Sequence, residues 1–330
     1  MSEYLLVGNP TAQSGKNKER IDRALALLRD AGARATLLPT LPEGKTIAAV
    51  REALDRGGTR VVIAMGGDGT FREVASGLLT SRVRDEVALG MLPTGTANDQ
   101  GKSFGLDASP ESLAENVRVI VRGNETRLDA GAIRAGNVTE HFFDSAGWGL
   151  SARVLAQRNK DRQFVAGLGP LQELYRDQAV YTGAFVKTFL ESFVVDDKIR
   201  ADCVLDGRAV ALEGLTDLVV KNTRIYAGGW VFDRTARHDD GAFEVVPFHG
   251  KNEWMSKAIV GIEGNPLTEE VLNEIGVSHS PPMRASVIEL SLRAPDGGAP
   301  LAAQLDGEEW PAHPHVRIEV LVRALRLIVP

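Results

Sequence analysis

In the first third of the chain, short continuous apolar runs alternate with apolar residues at helical spacing. Tyr4 to Val7 is such a run and ends in Gly8-Asn9-Pro10. Ile21, Leu25 and Leu28 then recur at one-turn intervals, and Gly32 supplies a C-terminal stop. Ala35 to Leu38 reads as a strand. Ile47, Val50 and Leu54 mark a second helix, closed near Gly57-Gly58. Arg60 to Met65 reads as a buried strand, Phe71 to Leu79 as a third helix and Val87 to Leu92 as a further strand. Ser109 as a cap, with Pro110 at the first helical position, predicts a helix ending at Gly123. This alternation predicts a parallel sheet with helices on both faces. Ligands of such sheets lie beyond the C-terminal strand ends. Three polar, glycine-containing loops fall there: Asn9 to Lys16, Gly66 to Thr70 and Pro93 to Asp99.

From about residue 126 the pattern changes, and strand-like segments dominate. They are Ala132-Ile133, His141 to Phe143, Ala201 to Leu205, Leu215 to Val220, Ala242 to Phe248, Ser286 to Leu292 and Val316 to Val322. Helical patterning survives between about 163 and 194, where Phe185, Phe189 and Phe193 repeat every four residues. That stripe reads as core packing ahead of an acyl-chain or bilayer contact. The expected organisation is an α/β domain over 1–125 and a β-rich, sandwich-like domain over 126–317.

A chain of 330 residues is comfortable for two cores. With 43% hydrophobic and 25% charged residues it has the composition of an ordinary globular protein. The net charge of −6 argues against nucleic acid as a main partner. The single cysteine, Cys203, excludes an intrachain disulfide and suits a reducing cytoplasm. MSEYLLVGNP lacks the basic and long apolar regions of a signal peptide, and no run reaches about 18 apolar residues, so no membrane span is expected. Peripheral binding at a membrane surface stays open.

The loops carry the candidate chemistry. Gly66, Gly67 and Gly69 let the backbone approach a ligand closely, and the following helix offers free N–H groups. Together these make a phosphate site. The pattern GGDGT is neither GxGxxG nor GxxxxGK[ST], so a Rossmann fingerprint and a Walker loop are both unsupported. Asp68 would repel phosphate unless Mg²⁺ or a directed hydrogen bond intervened. The alternative is a tight turn in which Asp68 caps the helix. In LPTGTAND, Thr96, Asn98 and Asp99 offer hydrogen-bonding groups beside the turn glycine Gly95. In GNPTAQSGK, Ser14, Gly15 and Lys16 could contact phosphate or simply cap a helix. Asp306-Gly307-Glu308 sets two acids around a flexible residue, as either a catalytic pair or a hairpin turn with solvated acids. His313 and His315 flank a proline and read as a solvated loop, not a metal pair.

NPTAQSGK, GGDGTFREVASGLL and LPTGTANDQGKSFGL, in this order, resemble the diacylglycerol kinase catalytic-domain family, whose relatives include sphingosine and ceramide kinases. GGDGT alone is shared with NAD kinases. The resemblance continues through RLDAGAI, FFDSAGWGLSARV, YAGGWVFDRTARHDDGAFEVVPF and LDGEEW. It implies an NAD kinase/diacylglycerol kinase-like α/β domain, a sandwich-like lipid domain, and final strands near 318–330 that return to the first domain. It also implies an ATP site lined by Gly66, Gly67, Asp68, Gly69, Thr70, Phe71, Arg72 and Glu73 with Thr40 and Thr96, and Asn9, Pro10 and Thr11 beside them. Glu308 would be the general base, with Asp306 needed in the same turn and Asp68 on the donor side. Mg²⁺ would be held by the Asp240 side chain and the backbone carbonyls of Arg237 and Ala242. Asp129 is expected in the carboxylate network around the catalytic centre. Two departures stand out. The first loop carries two extra residues, and Asp144 stands where the family more often has asparagine.

The reading is an ATP- and Mg²⁺-dependent lipid kinase acting on a lipid at a membrane surface, diacylglycerol to phosphatidic acid or a similar conversion. It allows a homodimer. Its rivals are an NAD kinase and a non-catalytic nucleotide- or lipid-binding regulator on the same fold.

Overall fold

The computed structural model describes residues 3–95, 98–153, 155–156, 198–226, 230–231, 233, 235–250, 253–254, 280–294 and 301–330, without the side chains of Gln13, Ser14, Lys16 and Trp230. Thr96 and the 163–194 helical pattern, with its phenylalanine stripe, lie outside the described residues.

The first lobe runs β1 (Tyr4–Gly8), α1 (Lys16–Asp30), β2 (Ala35–Pro39), α2 (Lys45–Asp55), β3 (Val61–Gly66), α3 (Asp68–Leu79), β4 (Ala88–Pro93), α4 (Asp99–Ser103) and α5 (Leu113–Arg122). Strands β2, β1, β3 and β4 lie side by side in parallel register. The apolar runs of β1, β3 and β4 are buried from both faces, as helix-covered parallel strands require, whereas the edge strand β2 is only partly buried. Leu6, Val7, Ile63, Met65 and Leu89 meet Ile21, Val50, Val74 and Ile120 from the helices in one core. Helix α3 begins at Asp68, three residues ahead of the apolar periodicity that marks it in the sequence, because its first turn is the glycine loop itself. Helix α5 begins later than Ser109-Pro110 predicts. The Asp107 carboxylate gathers the hydroxyls of Ser109 and Ser112 into a turn, and the helix starts only at Leu113.

The second lobe comprises β5 (Glu125–Ala135), β6 (Val138–Phe142), β7 (Ser145–Gly149), β8 (Ile199–Leu205), β9 (Arg208–Leu215), β10 (Asp217–Lys221), β11 (Ile225–Tyr226), β12 (Trp230–Val231), β13 (Phe243–Phe248), β14 (Met283–Ala285), β15 (Val287–Arg293), β16 (Ala303–Leu305), β17 (Glu308–Trp310) and β18 (His315–Ile328). One antiparallel sheet has the order β14-β13-β10-β7-β16-β17. Opposite it lies the far half of the large sheet, β18-β15-β8-β9 with β5 and β6. Phe142, Trp148, Leu218, Val245, Ile288 and Ile318 fill the space between them as a second core. The alternating burial of β8 and β15 is the mark of a sheet with one face in a sandwich.

The two lobes share backbone. Arg326 and Leu327 of β18 pair in parallel with Ala88 and Leu89 of β4, while the rest of β18 runs antiparallel to β5 and β15. An irregularity between Leu321 and Leu325 lets this long strand serve both lobes. Among the described residues no helix is long and apolar enough to cross a membrane.

Candidate active site

Two glycine loops meet at the C-terminal edge of the parallel sheet. The Gly66 carbonyl accepts the Thr94 N–H at 2.9 Å. A Cβ on Gly95 would stand 2.6 Å from the Gly67 Cα, so the loops touch backbone to backbone and position 95 needs glycine for that approach. Asn98 holds its own loop closed, accepting the Gly95 N–H at 3.0 Å and donating to the Gly95 carbonyl at 2.6 Å. Asn9 makes a similar turn at the end of β1, where its Oδ1 accepts the Thr11 N–H and hydroxyl at 3.0 and 2.8 Å. Pro10 sits inside that turn, and the Thr40 N–H is bound by the neighbouring Gly8 carbonyl.

Asp68 opens α3 without capping it: Gly67 is the N-cap and makes no side-chain capping bond. The Asp68 carboxylate instead accepts backbone N–H groups from Gln100, at 3.2 Å, and from Asp99 at the start of α4. Burial, and then the charge of Asp144, push it up to about 6, while those donors and Lys221 pull the other way. The Thr70 side chain packs back against Gly66. Phe71 turns into the core, edge-on to Phe143 with ring centroids 6.0 Å apart. Arg72 turns towards the second lobe, donating to the His141 carbonyl at 3.0 Å and pairing with Glu140. Glu73 is raised by burial, with the Thr46 hydroxyl and Arg72 opposing. The side chains of Phe71 and Arg72 thus serve packing and lobe contact.

The acids from the far end of the chain arrive at this loop. Asp306 and Gly307, with φ of 49° and 76°, form the two-residue turn between β16 and β17. The hairpin is real, but its first acid is not solvated. Asp306 is buried and accepts the N–H groups of Phe143 at 2.9 Å, Asp144 at 2.7 Å and Ser145 at 2.9 Å. Burial, followed by Asp144, pushes it up to about 7 against the pull of these donors. One residue past the turn, Glu308 lies over the first turn of α3: a Cβ on Gly69 would stand 2.9 Å from its Oε1. Glu308 itself is exposed. A carboxylate from the second lobe is therefore held beside the N-terminus of the helix that follows the glycine loop.

Between the two halves lies a group that no local pattern announced. Asp144 and Lys221 form a buried ion pair at 2.7 Å, with the Ser145 and Thr223 hydroxyls also on Asp144 and the Ile225 carbonyl on Lys221. Asp144 is the position noted above as a departure. Its positive partner lies 77 residues away and could not be paired with it from sequence.

Asn222 links the Asp129 and Phe143 carbonyls at 2.8 and 2.7 Å, but the Asp129 carboxylate has partners of its own. It accepts the N–H groups of Gly241 at 2.7 Å and Arg323 at 2.5 Å, which ties the DDG segment to the irregularity in β18. In that segment Arg237 pairs with Asp239, and Asp240 pairs with Arg284 while accepting the Ala242 N–H at 3.3 Å. Glu244, two residues further on, is buried with neither carboxylate oxygen hydrogen-bonded. Burial, then Asp233, pushes it up to about 8. Oxygen donors of this kind suit a hard cation such as Mg²⁺, although here the Arg284 guanidinium already faces both acids, pairing with Asp240 and lying 3.5 Å from Glu244 Oε1. No group of three or more His, Cys, Asp or Glu side chains among the described residues could hold a metal, so such an ion would rely on backbone carbonyls and water. The two histidines are occupied: His313 packs on Trp310, and His315 bonds Ser291 at 3.0 Å.

Comparison with known proteins places the chain in a family. The sequence model of the family described as Diacylglycerol kinase catalytic domain matches residues 3–133. The Probable lipid kinase YegS-like of Pseudomonas aeruginosa (strain UCBPP-PA14) is 28% identical over 313 residues, spanning 94% of this chain and 90% of that one. The Probable lipid kinase YegS of Salmonella schwarzengrund (strain CVM19633) is 35% identical over 244 residues, 72% of this chain and 73% of its own. Among solved structures, a diacylglycerol kinase from Bacillus anthracis str. Sterne superposes with a TM-score of 0.69 at 20% identity, covering 100% of this chain and 97% of the other. At that identity the likeness speaks for the fold.

Proposed function

The chain belongs to the diacylglycerol kinase catalytic-domain family and is a lipid kinase that uses ATP; on that premise we propose that it transfers the γ-phosphate of ATP to the free hydroxyl of diacylglycerol, yielding phosphatidic acid. The observation that carries this reading is the approach of Glu308 to Gly69 at the start of α3. It would bring a proton acceptor from the second lobe to the nucleotide loop of the first.

The triphosphate of MgATP would lie on the Gly66 to Thr70 loop, where free backbone N–H groups and the positive helix end face it. Asp68, bound by the start of α4, would fix the loop without meeting the phosphate directly. Glu308 would accept the proton of the lipid hydroxyl as its oxygen attacks the γ-phosphorus, and ADP would leave along the opposite side. Asp306, anchored by three successive backbone N–H groups, would hold the turn that presents Glu308. Lys221 would offset the negative charge that Asp68, Asp144 and Asp306 concentrate around the centre. In the second lobe, Asp240 with the carbonyls of Arg237 and Ala242 would hold Mg²⁺, which would pin the DDG turn. The lipid would be reached at a membrane surface.

The test is transfer of label from [γ-³²P]ATP to acceptors offered in parallel: diacylglycerol, monoacylglycerol, phosphatidylglycerol, sphingosine and undecaprenol in mixed micelles, and NAD in solution. Labelled phosphatidic acid is expected, and it should vanish in Glu308→Gln while ATP binding persists. Turnover of another lipid alone overturns the acceptor; turnover of NAD alone overturns the lipid reading.

A further inference from the structure

Glu308 sits on a strand of three residues at the edge of its sheet, paired on one side only, with β16. A strand so short cannot hold a side chain to the tolerance that proton transfer requires. One end is fixed by the burial of Asp306 against Phe143, Asp144 and Ser145. The other end is fixed by a chain of contacts that reaches the nucleotide side. Trp310 is two residues from Glu308 and therefore projects from the same face of the strand. Its indole N–H donates to Glu140 Oε1 at 3.0 Å. The other oxygen of Glu140 pairs with Arg72, whose Nε also donates to the His141 carbonyl at 3.0 Å. Arg72 lies one helical turn beyond Asp68 on α3.

We propose that the Arg72–Glu140–Trp310 bridge is a positioning device that sets the distance of Glu308 from the nucleotide loop. Three elements remote in sequence are involved: α3, the hairpin strand β6, and β17. The Arg72 side chain is only 18% exposed, so the ion pair is partly shielded from solvent and stronger than a surface pair. The bridge crosses between the lobes at the point where the donor loop and the acid must meet. Arg72 is thereby committed to placing the base and is withheld from the triphosphate.

The consequence for turnover rests on Glu308 being the base, and the test separates the two claims. Glu140→Gln keeps the acceptor for Trp310 but loses the charge facing Arg72; Trp310→Phe keeps the ring and loses the donor. Each should lower kcat about tenfold while leaving KM for MgATP within about twofold, since half an ångström of misplacement acts on proton transfer and not on nucleotide binding. Amide hydrogen exchange at residues 308–310 should quicken in both variants, and the double variant should lose no more than the worse single one. Unchanged exchange at 308–310 in both variants overturns the bridge, whatever Glu308 does. Quickened exchange with unchanged kcat, alongside an inactive Glu308→Gln, overturns its positioning role. If Glu308→Gln keeps full turnover, it is the base assignment that falls, and the exchange measurement alone then decides the bridge.

Discussion

Replacing Gly69 by alanine should separate stability from turnover. Gly69 is the second residue of α3, and its φ lies outside the left-handed region, so alanine is conformationally acceptable there. Helix propensity by itself favours the change by up to about 1 kcal/mol. The added Cβ meets Glu308 Oε1 at 2.9 Å, Cδ at 3.4 Å and Cγ at 3.5 Å. Ordinary contact begins at 3.4 Å, so the carboxylate oxygen must retreat by 3.4 − 2.9 = 0.5 Å. Glu308 is exposed and can swing towards solvent, which keeps the cost small. The net change in stability should stay within about 1 kcal/mol, a melting shift of no more than about 3 °C for a chain of this size. Turnover should respond differently. A displacement near 1 Å can cost about a hundredfold, so half of that should lower kcat about tenfold, or about 1.4 kcal/mol in the barrier. The assay is label transfer from ATP to diacylglycerol, with melting followed in parallel. An undiminished kcat in Gly69→Ala, or a loss of stability well beyond about 1 kcal/mol, would refute the reasoning.

Gly95→Ala should behave in the opposite way: its Cβ would meet the Gly67 backbone at 2.6 Å, where nothing flexible can yield. Urea midpoints should report a loss of about 1–3 kcal/mol together with weaker MgATP binding, and a wild-type midpoint would contradict the loop contact. Lys221→Met should cost about 3–5 kcal/mol by leaving buried Asp144 without its cation, and adding Asp144→Asn should restore much of it. Simple addition of the two losses would count against the pair. Asp217 is buried and raised to about 6, chiefly by desolvation, although the Ser151 and Trp254 N–H groups oppose the shift. A raised acid binds more protons folded than unfolded, so its contribution falls as pH rises from about 4 to about 6 and stays low above that. The stability gap between Asp217→Asn and wild type should therefore move by about 3 kcal/mol in the variant's favour between pH 4 and pH 7.5. A gap independent of pH in denaturant titrations would refute this.

What the sequence determined by itself is whatever rests on neighbours along the chain. Apolar spacing at Ile21, Leu25 and Leu28 builds α1, and the run from Val61 to Met65 can only be a buried strand. The glycines at 66, 67 and 69 mark a strand-to-helix turn, and Asp306-Gly307 marks a two-residue hairpin. These signals are local because helix period, strand burial and turn dihedrals each involve a few consecutive residues. The tertiary structure alone decided which of the acids became buried and what each one meets. Asp306 reads in sequence as either a catalytic acid or a solvated turn residue, and in the fold it closes on N–H groups 161 to 163 residues upstream. Resemblance puts Arg72 in the lining of the ATP site, and only the fold shows that its side chain bonds Glu140, 68 residues on. Asp144 reads as an unexplained charge until Lys221 arrives beside it from β10. Hydrogen bonding and charge pairing act over ångströms and are indifferent to sequence separation. The partners of these side chains were therefore fixed only when β18 joined the two lobes and carried β17 back over the first turn of α3.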